Sequence, residues 1–162
     1  MLVLHIIIGD EILNLLSKFK ISNYYLINIF NEGLCITQNL NKTSNFSIFI
    51  NKKYLEKHKV IQEKSIVCES LDILKNFEIT FDDEYMLNGD SKIVNDCCNT
   101  CKMLKDVNFT INNIEYDQLN LSNKLNILKD SKFGVLISNE FNGILLKTEI
   151  YNFEIYINII TN

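Results

Sequence analysis

The chain has 162 residues, of which 47% are hydrophobic and 22% charged, with a formal net charge of -4. That is one full domain, or one and a part, with enough apolar surface for a core, and it excludes the composition of a disordered chain. The longest apolar start, Met1 to Ile8, runs into Gly9-Asp10-Glu11 and has no basic leader, so neither a membrane span nor a secretory signal is expected, and a soluble intracellular protein is.

The hydrophobic period switches repeatedly between two and 3.6, which predicts a mixed α+β chain. Leu2 to Ile8 reads as a strand, and Asp10 is expected to cap a helix running to Lys20, with Ile12, Leu15, Leu16 and Phe19 on one face. Tyr24 to Phe30 is a predicted strand, Asn31-Glu32-Gly33 a tight turn, Leu34 to Thr37 a second strand and Phe46 to Ile50 a third. This first unit is β-α-β-β-β.

The order then repeats. Lys64 to Glu69 is strand-like, Ser70 caps a short helix with Leu71, Ile73, Leu74 and Phe77 on one side, and Phe77 to Phe81 resumes strand character. Asp82-Asp83-Glu84 and Asn88-Gly89-Asp90 are turn signals bracketing another strand. The irregular, Cys-rich stretch Asn95 to Val107 reads as the last strand of this unit plus a connector. In a third unit, Asn108 to Tyr116 is a strand and Asp117 to Lys129 a helix with Leu121, Leu125 and Leu128 on one face. Strands Phe133 to Ser138, Ile144 to Ile150 and Phe153 to Ile160 follow. Asn31 to Ile36 answers Glu140 to Leu146, and Phe46 to Ile50 answers Phe153 to Ile157, a repeat of domain size offset by about 110 residues. The expected domains are 1–106, with two units, and 107–162, with one.

The sequence has no Pro, Trp, Arg or Ala, and Asn, Ile, Lys and Leu dominate, a composition expected from an AT-rich genome. Triplets of the glycosylation type at Asn41, Asn45, Asn108 and Asn120 follow from that bias. All positive charge is on Lys, so bidentate guanidinium recognition of phosphate is outside its means. Cys35, Cys68, Cys97, Cys98 and Cys101 are an odd set without a secretory signal, which predicts reduced thiols. Cys98 and Cys101 have the C-x-x-C spacing and Cys97 adds a third sulfur, but no second pair completes a four-ligand zinc site. They are weak metal or redox candidates beside the reading as ordinary thiols.

Repeated β-α-β-β-β units offset by a domain length resemble the sliding-clamp fold of proliferating cell nuclear antigen and its checkpoint relatives. The resemblance is strongest over Ile12 to Phe77, through the turn at Glu32 to Ile36, the run Phe46 to Lys57 and the passage from Gln62 to Leu74. This region is most similar to the Rad-one subunit of the DNA-damage checkpoint clamp; it lacks the replicative clamp's Asp-Ser run before the strand Phe46 to Ile50. The family carries four units per chain and three are expected here, so the chain reads as C-terminally shortened. The resemblance implies a ring of clamp subunits around double-stranded DNA, a clamp loader and repair proteins as partners, and a nuclear location, or a cytoplasmic one if the source is viral or lacks a nucleus. It puts Lys18, Lys20, Lys75, Lys124 and Lys129 on helices facing the hole, each able to make a salt-dependent phosphate contact. Their structural alternative is stems covering apolar surface.

No catalytic constellation stands out. The five glycines are isolated at turns, and neither His5 nor His58 has a nucleophile or ligand partner by motif. His5 reads as a satisfied core or edge histidine, His58 as surface, and Asp82-Asp83-Glu84 as a solvated loop. No enzymatic activity, cofactor or membrane partner is expected. Three readings follow: a DNA-encircling clamp subunit of checkpoint type, or else a replicative processivity clamp; a strand-edge adaptor using Phe153 to Ile160 without DNA binding; and a small thiol or metal protein built on the Cys cluster.

Overall fold

A computed structural model describes residues 2–41, 44–80, 92–94, 114–115, 128, 132–138 and 143–160. In chain order these form β1 (Leu2–Ile7), α1 (Asp10–Ser17), β2 (Tyr25–Phe30), β3 (Gly33–Asn41), β4 (Ser44–Asn51), a 3-10 helix (Lys52–Tyr54), β5 (Lys57–Val60), β6 (Lys64–Cys68), a second 3-10 helix (Leu71–Lys75), β7 (Phe77–Thr80), β8 (Lys92–Val94), β9 (Ile114–Glu115), β10 (Lys132–Ser138), β11 (Gly143–Ile150) and β12 (Phe153–Ile160). The first unit therefore has the expected order β-α-β-β-β. Of the predicted helix Asp117 to Lys129, only Leu128 is described, and it is buried. The turns at Asp82 to Glu84 and Asn88 to Asp90, the stretch Asn95 to Val107 and the boundary at 106/107 lie outside the described residues.

The strands form two sheets, both antiparallel: a small one ordered β5-β1-β7, and a nine-stranded one ordered β8-β6-β2-β3-β4-β12-β11-β10-β9. Two three-stranded meanders, β2-β3-β4 and β12-β11-β10, meet edge to edge where β4 pairs with β12. β-Branched residues suit such a sheet because their stiff side chains pack well on a pleated surface. Ile66, Ile27, Ile36, Ile48 and Ile155 stand directly opposite one another on five successive strands, so one row of buried isoleucines runs across the seam.

That row belongs to a single core. Facing it are Leu4 and Ile6 of β1, Leu13, Leu16 and Phe19 from α1 and its exit, Leu71 and Leu74 of the second 3-10 helix, and Phe77 and Ile79 of β7. The molecule is thus mostly antiparallel sheet, with one α-helix among the described residues, and α1 and the second 3-10 helix pack into the same core against the large sheet. Among the described residues no helix is long and apolar enough to cross a membrane.

Several expectations are corrected. The cap of α1 is Gly9, not Asp10, which sits in the first turn beside Glu11; there both carboxylates favour the positive end of the helix dipole. The helix ends at Ser17 rather than Lys20, and its fully turned-in face includes Leu13, with Ile12 and Leu15 only half-buried. The short helix expected after Ser70 is a 3-10 helix, and Ser70 caps it as expected, its Oγ accepting from the Asp72 N–H at 3.2 Å. His58 is not a free surface group: it lies in β5, and its Nε2 donates to the Phe30 carbonyl at 2.7 Å. β12 is not a free edge, being paired on both sides. Gly33 does sit at a tight turn, where a Cβ would lie 2.0 Å from the Ile50 carbonyl oxygen.

Candidate nucleic-acid interface

The end of α1 is tied down by polar contacts that also fix its lysines. Ser17 Oγ donates back to the Asn14 carbonyl at 2.6 Å. Lys18 N–H reaches the Leu15 carbonyl at 3.2 Å, and Phe19 N–H the Leu16 carbonyl at 3.0 Å. Beyond that point the buried side chain of Gln38 on β3 takes over. Its Oε1 accepts from Ile21 N–H at 2.9 Å and Ser22 N–H at 3.1 Å, while its Nε2 donates to the Phe19 carbonyl at 3.0 Å. The chain leaving the helix is thereby fastened to the large sheet, and exposed Lys18 and Lys20 stand at the helix C-terminus, where a cation is favoured.

Phe19 is the anchor of this corner. Fully buried, its ring stacks on Phe46 of β4 at 6.0 Å and 26°, and meets Phe153 of β12 edge-on at 6.4 Å and 67°. It therefore bridges the seam between the two meanders. Tyr151, in the turn between β11 and β12, meets the same ring at 6.5 Å and 73°, and the Lys18 ammonium lies 5.6 Å from the Tyr151 ring centroid.

Lys75 ends the second 3-10 helix, 3.9 Å from the Asp72 carboxylate across one turn, and both side chains are largely exposed. Such a pair is worth little and leaves the ammonium accessible. Lys20 lines a shallow cleft between α1 and the second 3-10 helix together with Leu13, Ser17, Tyr25, Glu69, Leu71 and Asp72. Asp10, Glu11, Glu69 and Asp72 are all exposed on or beside the segments that carry Lys18, Lys20 and Lys75, so these segments are not uniformly positive. Lys124 and Lys129 lie outside the described residues.

Cys35 and Cys68 are buried and form no disulfide. Burial pushes the Cys68 thiol up to about 11, only partly offset by a hydrogen bond with the Ser70 backbone, and burial together with neighbouring Cys68 raises the Tyr25 phenol. Tyr156 is raised too, by burial and then by Glu154, Cys35 and Glu149. Among the described residues no group of three or more His, Cys, Asp or Glu side chains could hold a metal; Cys97, Cys98 and Cys101 lie outside them. His5 is satisfied as expected, with Nε2 2.7 Å from Asn76 Oδ1 and 3.3 Å from Glu78 Oε1.

Two features escaped the sequence reading. The contact of Lys18 with Tyr151 spans most of the chain and has no local signal. The other is the run Lys52, Lys53, Lys57 and Lys59, all exposed on the first 3-10 helix and β5. Its signal was in plain view as charge density, with only Glu56 interrupting it.

No family model and no curated protein matches the sequence. Among solved structures, one described as the C-terminal region of FEN-1 bound to A. fulgidus PCNA is similar over 100% of this chain and 98% of that chain, with a TM-score of 0.49 and 10% identity. A likeness at that level carries no argument about what this chain binds.

Proposed function

We propose that the chain is a non-enzymatic, clamp-like subunit that contacts DNA through the side bearing α1 and the second 3-10 helix. The observation supporting this is the layering: a nine-stranded antiparallel sheet, continuous across two meanders joined at β4 and β12, with α1 and the second 3-10 helix packed against one face of it. A clamp requires that division, with a continuous outer wall of strands and an inner surface of helices that hold phosphates loosely. Lys18, Lys20 and Lys75 supply point charges suited to such contacts, and the carboxylates among them keep the contact weak. The checkpoint-type heterotrimer is the form implied by the resemblance of Ile12 to Phe77, with other clamp subunits, a clamp loader and repair proteins as partners.

The test is binding of a labelled blunt duplex by the full chain, followed by fluorescence anisotropy over a salt series, for wild type and the triple variant Lys18→Glu, Lys20→Glu, Lys75→Glu. Each lost phosphate contact lowers the salt slope by about 0.9. An unchanged affinity and slope would remove these lysines from the interface.

A second reading, a protein-binding adaptor without DNA contact, is favoured by the charge balance of the same segments, on or beside which four carboxylates accompany Lys18, Lys20 and Lys75. On that reading wild type binds no duplex at any salt, and the adaptor strand is β5 or β7, each paired on one side only among the described residues.

A further inference from the structure

The hairpin between β11 and β12 closes through two residues only, since Ile150 pairs with Phe153. Tyr151 and Asn152 carry φ values of 54° and 68°. Two-residue hairpins with positive φ at both positions favour Asn and Gly, and a side chain with a Cβ is crowded against the following carbonyl there. Asn152 suits its place. Tyr151 does not, yet its ring is held in a defined setting, edge-on to Phe19 and beneath the Lys18 ammonium at 5.6 Å, while remaining 44% exposed. The carboxylates of the hairpin, Glu149 and Glu154, are a cross-strand pair one step from the core-facing pair Ile150 and Phe153; they project from the opposite face of the sheet. The ring's contacts on this side are with aromatic Phe19 and basic Lys18.

An outlying backbone conformation kept for an exposed aromatic residue points to a contact made by that residue. We infer that Tyr151 and Lys18 together form a contact for single-stranded nucleic acid, an unpaired base stacking on the Tyr151 ring while its phosphate meets Lys18. A duplex hides its base faces in its own stack, so only an unpaired base can offer one, and aromatic stacking of this kind tolerates any base. The inference rests on the proposed DNA-contacting function and adds to it a preference: a junction between duplex and single strand is bound more tightly than duplex alone.

The experiment compares a blunt duplex with the same duplex carrying a short single-stranded tail, using anisotropy with the full chain. Tyr151→Asn removes the ring and installs a residue that the turn prefers, so the fold is retained or strengthened, which a urea midpoint checks; Tyr151→Phe keeps the ring. The expected result is that Tyr151→Asn loses about tenfold in affinity for the tailed duplex, binds the blunt duplex as wild type does, and that Tyr151→Phe matches wild type on both. If Tyr151→Asn binds the tailed duplex unchanged, or loses equally on both ligands, the ring only covers Phe19; the inference is overturned and the DNA-contacting reading survives. If wild type binds neither ligand, both fall together.

Discussion

Replacing Phe19 with Ala isolates what holds the two meanders together. The ring is fully buried between Phe46 and Phe153, one on each side of the β4/β12 seam, so its removal opens a void at the junction rather than at a margin. Loss of the buried apolar surface costs about 2–3 kcal/mol. The cavity left among partners that are themselves held in strands adds about 1–2 kcal/mol, giving about 4 kcal/mol, inside the usual span for buried Phe to Ala. With a urea slope of about 2 kcal/mol per molar, the midpoint falls by about 2 M. The assay is urea unfolding followed by circular dichroism, paired with hydrogen exchange of the amides in Ser44–Asn51 and Phe153–Ile160. Both strands should lose protection together, while β2 and β6 keep theirs. Phe19→Leu, which refills most of the volume, should cost less than about 1.5 kcal/mol. A Phe19→Ala loss below that figure, or one that leaves β12 as protected as before, would refute the idea that this ring bridges the seam.

Gln38→Leu should cost about 2–4 kcal/mol, because it leaves two backbone donors and one carbonyl at the exit of α1 without their partner; a denaturation midpoint close to wild type would show that the exit is held by Phe19 alone. Gly33→Ala should cost about 3 kcal/mol or more, since the new methyl meets the Ile50 carbonyl oxygen at 2.0 Å; a variant melting within a few degrees of wild type would mean that the turn can shift. For Cys68, the native thiol titrates near 11, above its ordinary value of 9.0. The native state therefore keeps a proton that the unfolded chain gives up first, so the associated stability is intact below pH 9 and declines as pH rises toward 11. Tyr25, raised in the same direction, adds to the decline. Cys68→Val should show a shallower fall over that window, measured by urea midpoints; an identical fall would assign the effect to other groups.

The strands of both meanders were legible in the sequence because alternation and turn residues coincide there, as in Tyr25 to Phe30 followed by Asn31-Glu32-Gly33. β5 was not. Lys57, His58, Lys59 and Val60 offer no apolar alternation, and the strand exists because β1 presents a partner edge in register, Leu4 opposite Val60 and Ile6 opposite His58. The end of α1 was misjudged for a related reason. Lys18, Phe19 and Lys20 continue a helical pattern, but Gln38 captures the backbone just beyond them, and a side chain from another strand cannot be read from the helix's own sequence. Of the candidate site, the lysines were visible as residue types. Their setting was not: the opposing carboxylates come from two segments far apart in sequence, and the aromatic ring beside Lys18 comes from a hairpin near the other end of the chain.

The pairing of β12 also restricts how the chain can join others. An alternating strand such as Phe153 to Ile160 invites addition of another chain, but here both of its edges are filled, by β4 on one side and β11 on the other. Strands with one open side among the described residues are β5 and β7 in the small sheet and β8 and β9 at the ends of the large one. β5 and β7 differ in charge, since β5 exposes Lys57 and Lys59 whereas β7 exposes Glu78. Charges on an edge resist indiscriminate pairing while admitting a strand of opposite charge. Strand addition in an assembled complex must therefore protect amides of these outer strands. Hydrogen exchange of the isolated chain should find β12 protected already and β5 and β7 open, with any gain on assembly confined to the outer strands; a gain at β12 would mean that the seam opens before partners bind.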